Sequence, residues 1–126
     1  MKNKLKVEKI FSLAVEAYQE KKFNLAEKYY KEIVKKFPDN VNTLINLGMT
    51  LKQLEKFNEA IDCYKRSIQI NPKNANSYYN LANLYNNIEK YDEAITFYKK
   101  TIEINPNFLG AYNNLGNILK NLNKHE

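Results

Sequence analysis

Glu55-Lys56-Phe57-Asn58-Glu59-Ala60 returns as Glu89-Lys90-Tyr91-Asp92-Glu93-Ala94, and each block runs on to a proline, Pro72 and Pro106. The chain holds three prolines in its 126 residues, and Pro38 stands one period earlier, so the spacing is 34 both times. A fixed period of this size marks a chain built by stacking one supersecondary unit on the next, each too small to bury its apolar face alone. The same period orders the apolar residues. Ala26, Ala60 and Ala94 keep it, as do Tyr30, Tyr64 and Tyr98, and Phe23, Phe57 and Tyr91. Leu13, Leu47, Leu81 and Leu115 form a further column, each followed by a small residue: Ala14, Gly48, Ala82 and Gly116.

These columns, with Ile10, Leu44, Tyr78 and Tyr112 ahead of them, resemble the tetratricopeptide repeat family along nearly the whole chain. The resemblance implies an all-α, right-handed α-solenoid of tandem helix–turn–helix repeats, about seven helices forming one domain over 1–126. Its repeats fall at about 7–40, 41–74 and 75–108, with a partial fourth at 109–126. The first repeat is the least typical. Trp is missing from the leading column, Ala17 stands where Leu51, Tyr85 and Leu119 stand later, and the inter-helix turn lacks its usual glycine.

Within each repeat a first helix, A, is expected at about 5–20, 41–54, 75–88 and 109–122, and a second, B, at about 24–37, 58–70 and 92–104. Tyr78, Leu81, Tyr85 and Ile88 show the helical period on one face. Asn24, Asn58 and Asp92 are expected to cap the B helices, with Glu59 and Glu93 in the first turn, where the helix dipole favours an anion. Proline ends each B helix by disfavouring helical geometry in the residue before it. At the far end His125 falls in the aromatic column and Glu126 in the cap column, so a fourth B helix is expected beyond them, in a longer protein. Ile118 and Leu122 are then expected to lie uncovered, which makes end-to-end association into a homo-oligomer a possible outcome.

Chemistry is sparse. His125 is the sole histidine, which excludes a histidine acid–base pair or a multi-histidine metal site. Cys63 is the sole cysteine, read as a small apolar residue inside a B helix, and it rules out an intramolecular disulfide and favours a reducing, cytoplasmic setting. No catalytic group, metal or cofactor is expected. The net charge is +6, but Lys28, Lys31, Lys35, Lys36, Lys65, Arg66, Lys99 and Lys100 fall on B helices, expected to face outward as a solvated surface. A nucleic-acid track would interleave basic and aromatic groups instead. The apolar run from Ile10 is broken at Glu16, too short for a leader or a span, so neither nucleic acid nor membrane is expected as a partner.

Asparagine carries the functional signal. Segments 41–54, 75–88 and 109–122 hold two, five and four asparagines, whereas 25–37, 59–70 and 93–104 hold none. Asn is a poor helix former, so its gathering on A helices runs against propensity. Asn76, Asn80, Asn83 and Asn87 form one stripe, roughly opposite the apolar face. The same columns read Asn42, Asn46, Met49 and Gln53 one period earlier, Gly110, Asn114, Asn117 and Asn121 one period later, and Glu8, Ser12, Val15 and Gln19 in the first repeat. An amide offers donor and acceptor together, which matches the backbone of an extended peptide. The expected ligand is a protein or peptide segment, with Ile45, Met49 and Tyr79 adding side-chain preference, and Asn80, Asn83 and Asn114 are expected to face open space.

The Asn46, Asn80 and Asn114 column resembles the asparagine ladder of the O-linked N-acetylglucosamine transferase superhelix, and is similar to the groove of peroxisomal targeting-signal receptors. That resemblance places the stripe in a concave groove. It keeps two further readings open, a substrate-docking arm of a larger enzyme such as a glycosyltransferase, and a self-assembling module. The two-carboxylate clamp of chaperone-binding relatives needs groove Lys or Arg where this chain has Phe11 and Val15, or Ile45 and Met49, so that ligand is disfavoured.

Overall fold

The computed structural model describes residues 2–123, and these fold into seven α-helices and no strand. They group into two compact units, Met1–Ile70 and Asn71–Glu126. The first contains α1 (Lys2–Gln19), α2 (Phe23–Lys36), α3 (Val41–Gln53) and α4 (Phe57–Ile70). The second contains α5 (Ala75–Asn87), α6 (Tyr91–Ile104) and α7 (Leu109–Asn123). Helix A of each repeat is thus α1, α3, α5 or α7, and helix B is α2, α4 or α6. Within each unit every helix packs on its chain neighbour, the arrangement of an all-α helical repeat fold. His125 and Glu126 lie outside the described residues.

The periodic columns are the core. Ala26, Ala60 and Ala94 are sealed completely, and beside them Tyr30, Tyr64 and Tyr98 are the largest fully buried side chains. In the second unit Phe97 of α6 lies between two rings of α5, with centroids 6.3 Å from Tyr78 and 5.7 Å from Tyr85. Gly48 is small for a steric reason: a Cβ there would come within 2.5 Å of the Tyr64 ring. At Gly116, in the same column, nothing stands within 4 Å.

The turns correct the expected caps. Each B helix starts at its aromatic residue, Phe23, Phe57 or Tyr91, one position earlier than expected. Asn24, Asn58 and Asp92 therefore sit inside the first turn rather than capping it, and Lys22 and Lys90 occupy the cap positions without a side-chain bond. The cause is the tight connection from helix A. Lys22 N–H donates to Ala17 O, Lys56 N–H to Leu51 O and Lys90 N–H to Tyr85 O, each at 2.8 Å. This six-to-one closure requires a left-handed residue just before it, and Lys21, Glu55 and Glu89 take that role at φ 61°, 60° and 64°. The side-chain caps stand on A helices instead: Asn40 Oδ1 accepts from Thr43 N–H and Asn74 Oδ1 from Asn76 N–H, both at 3.0 Å. Each B helix ends two residues before its proline, at Lys36, Ile70 and Ile104.

A second correction concerns α7. Ile118, expected to lie uncovered, is buried at 3% exposure, with α7 packed on α6. Its column is that of Leu84, which is also fully buried. The row left open is Tyr112, Leu119 and Leu122, the columns through which other A helices meet their own B partner.

Candidate functional site

The asparagine stripe of the second unit divides by depth. Asn76, Asn87, Asn117 and Asn121 are exposed, whereas Asn80, Asn83 and Asn114 are half-buried and already bonded. Asn80 Nδ2 donates back to Asn76 O at 2.8 Å, within its own helix. Asn83 Oδ1 accepts from the Tyr98 hydroxyl and from Asn114 Nδ2, the latter at 2.9 Å. Asn114 Nδ2 also reaches the Tyr79 hydroxyl at 3.3 Å. The Tyr79 ring lies 4.6 Å from Phe108 and 6.1 Å from Tyr98, and its hydroxyl fits over Gly110, whose Cβ would come within 2.7 Å of it. Burial pushes the Tyr98 hydroxyl above its ordinary pKa, with the amides of Asn114 and Asn86 acting against that shift. The expectation that Asn83 and Asn114 face open space is corrected: they join α5, α6 and α7 around a buried phenol.

The first unit repeats half of this arrangement. Tyr30 of α2 is buried, which raises its pKa, and the half-buried Asn46 of α3, which lines the same cleft, acts against that shift. Tyr30 and Asn46 are separated by the same interval as Tyr98 and Asn114, and in both pairs the amide acts to lower the pKa of the buried phenol. Both columns are visible in the sequence; their coupling was missed.

Elsewhere the first unit is open. A cleft of about 270 Å³ lies between α1, α2 and α3, walled by Val15, Tyr18, Tyr30 and Met49, with Gln19 and Asn46 at its polar edge. A second cleft, of about 350 Å³, lies farther toward the helix starts, where Glu8, Phe11 and Ser12 of α1 face Asn42 and Thr43 of α3. Thr43 Oγ1 is buried in that wall with no hydrogen-bond partner. In the second unit a smaller cleft of about 170 Å³ is bordered by Asn117, Asn121 and Leu122, together with Asn86 and the column residue Tyr91, neither of which was expected at the site.

Ionic and nucleophilic groups are placed structurally. Glu27 of α2 is buried, and Lys56 Nζ bonds both its oxygens at 2.9 and 3.3 Å, while Lys31 pairs with it and with Glu59. Burial alone would raise the Glu27 pKa, but the two lysines together hold it below the ordinary carboxylate value. The Cys63 thiol is pushed up to about 11 by burial, with Asp62 and Glu59 adding to the shift, so it is no ready nucleophile. Among the described residues no group of three His, Cys, Asp or Glu could hold a metal ion, and no helix is long and apolar enough to cross a membrane.

Four family models match: tetratricopeptide repeat models over 11–40, 75–108 and 97–126, and a TPR repeat model over 48–88. Among solved structures, MamA is similar at 28% identity, with TM-score 0.85 over 93% of this chain and 68% of that one. The first TPR of Spaghetti (RPAP3), bound to the HSP90 peptide SRMEEVD, is similar at 21% identity and TM-score 0.86, covering 94% of both chains. An O-GlcNAc transferase mutant from Thermobaculum terrenum gives TM-score 0.85 at 22% identity, over 94% of this chain but 23% of that one. No curated protein matches the sequence.

Proposed function

The chain belongs to the tetratricopeptide repeat family, and we propose on that premise that it is a non-catalytic interaction module that holds an extended protein segment against its A helices. The observation that carries this reading is the α1–α3 face. Two clefts open side by side there, and Asn42, Asn46 and Met49 of the asparagine columns border them. A peptide laid along that face meets amides that can donate and accept at its backbone, and clefts that can take its side chains. The exposed amides of Asn76, Asn87, Asn117 and Asn121 offer the same chemistry on the second unit. One related structure, the first TPR of RPAP3, holds a peptide, which supports the class of ligand but not its sequence. The acidic end of that peptide has no matching cations here, because neither α1–α3 cleft is lined by Lys or Arg. We place the module in the cytosol, where its single thiol stays reduced.

The test is selection from a randomised peptide library followed by titration of enriched peptides. Met49→Asp and Asn42→Ala should each weaken capture about five- to tenfold while the helical circular dichroism is retained. A library that yields no binder, or binders indifferent to both substitutions, would overturn the reading.

A further inference from the structure

The two units use the same columns and fill them differently. In the first unit Phe11 and Asn42 border the polar cleft; two periods on, their columns hold Tyr79 and Gly110, and the Tyr79 ring and hydroxyl occupy that space with Phe108 beside them. Val15 and Met49 wall the apolar cleft over Tyr30; two periods on, Asn83 and Asn117 stand in their columns, and Asn83 binds the Tyr98 hydroxyl and Asn114. The second unit thus fills with its own side chains much of what the first leaves open, and what remains at Asn86 and Asn117 is a smaller cleft with amides in place of Tyr18 and Met49.

The open clefts differ in chemistry. The apolar one has no charged group in its lining. The polar one has a single charged group, the exposed Glu8 carboxylate, next to the half-buried Phe11 ring and the oxygens of Ser12 and Asn42. Lys4, one turn earlier on the same side of α1, does not line it. A carboxylate beside an aromatic face suits a cationic side chain, held by charge, hydrogen bonds and the ring. Along α1 and α3 the two clefts are offset by about five to eight residues of helical rise, roughly 8–12 Å. A segment in polyproline II conformation, rising about 3.1 Å per residue with three residues per turn, covers that distance in about three residues and turns both side chains to the same side.

We propose that the α1–α3 face is a two-pocket receptor for an extended segment carrying a basic side chain for the Glu8 cleft and, about three residues away, a large apolar side chain for the Val15–Met49 cleft. This rests on the peptide-capture reading and sharpens it by naming the ligand chemistry and the unit that binds it.

The probe is an end-blocked Ser/Gly peptide with Arg and Phe separated by two Ser, measured by fluorescence anisotropy beside versions with Glu for Arg, Ser for Phe, and the two residues adjacent. The Arg/Phe peptide should bind best. Loss of Phe should weaken it about ten- to a hundredfold, as expected for one buried aromatic side chain. Glu8→Gln, an exposed site that leaves the fold intact, should weaken the Arg peptide about three- to fivefold and the Glu version not at all. Val15→Asn with Met49→Asn, which installs the second unit's residues, should abolish the dependence on Phe. Equal binding of the Arg and Glu peptides, or equal effects of Glu8→Gln on both, would sink the basic pocket. Sensitivity to Asn117→Ala instead of the Met49 variant would move the site to the other unit. In either case library-selected peptides would still bind, so this inference would fall while peptide capture stood; failure of every peptide would remove both.

Discussion

Tyr30 and Tyr98 occupy the same column at the same depth, yet the space in front of them is used in opposite ways. Before Tyr98 an asparagine pair and a tyrosine close the wall with hydrogen bonds. Before Tyr30 stands a single asparagine, Asn46, with Val15, Tyr18 and Met49 around it and Gln19 at the edge, and a cleft stays open. Repeats of one fold therefore use equivalent columns differently: in the second unit Asn83 and Asn114 tie helices together, and in the first a cleft stays open beside the tyrosine. What decides is the identity of a few A-helix side chains at columns the backbone treats alike.

The contrast breaks most sharply at Asn83. Replacing it by Ala leaves the Tyr98 hydroxyl and the Asn114 amide without their shared partner, and the destabilisation should be about 1–3 kcal/mol in chemical denaturation. The helix propensity gained by Ala, roughly 0.5 kcal/mol, is too small to offset it. An unchanged or higher stability would mean that the amide only decorates the surface, and the division between units would be lost.

A somewhat smaller effect is expected at Glu27, which ties α2 of the first unit to the start of α4 through Lys56. Glu27→Gln should cost about 1–2 kcal/mol, moderated because both lysines are about half exposed. The folded pKa of Glu27 is depressed, so its stabilisation is fully present above the unfolded carboxylate value near 4.3 and is lost as pH falls from there through the folded value. Wild-type and variant stabilities, followed from neutral pH down to about pH 3, should therefore converge. Parallel curves across that range would show that the buried carboxylate gains nothing from its lysines.

The smallest expected change is a gain. Gly116→Ala fills no occupied space and removes a glycine from an exposed stretch of helix, so stability should rise by roughly 0.5–1 kcal/mol. A loss in thermal melting would reveal a neighbour over α7 in solution.

The helices were legible because proline, the alanine and tyrosine columns and the apolar period all repeat in phase, and each constrains backbone or packing directly. The asparagine columns were legible as a pattern but not as a set of bonds. An amide donates and accepts equally well toward solvent, peptide or a neighbouring phenol, and a period states which residues are equivalent without stating which columns touch. The same gap explains Ile118: its column is that of the buried Leu84, whereas Tyr112 and Leu119 belong to the face left open. The missing turn glycine hid the connection from A to B, since Lys21, Glu55 and Glu89 carry no sequence mark of a left-handed residue. The two clefts of the first unit were invisible for a related reason. Val15 and Met49 read as departures from an asparagine stripe, when they are what leaves room for a guest.

The linkage of α5, α6 and α7 through Asn83, Tyr98 and Asn114 has a consequence for how such a chain can grow. The Tyr98 phenol donates back to Asn83 of its own hairpin, and that same amide accepts from Asn114 one helix ahead, so the link spans two successive 34-residue cassettes. Inserting or deleting one residue in the turn before α7 would rotate that helix by about 100° and take Asn114 away from Asn83. Length can change in this architecture by recombination of complete cassettes, while slippage of single codons at the turns carries a folding penalty.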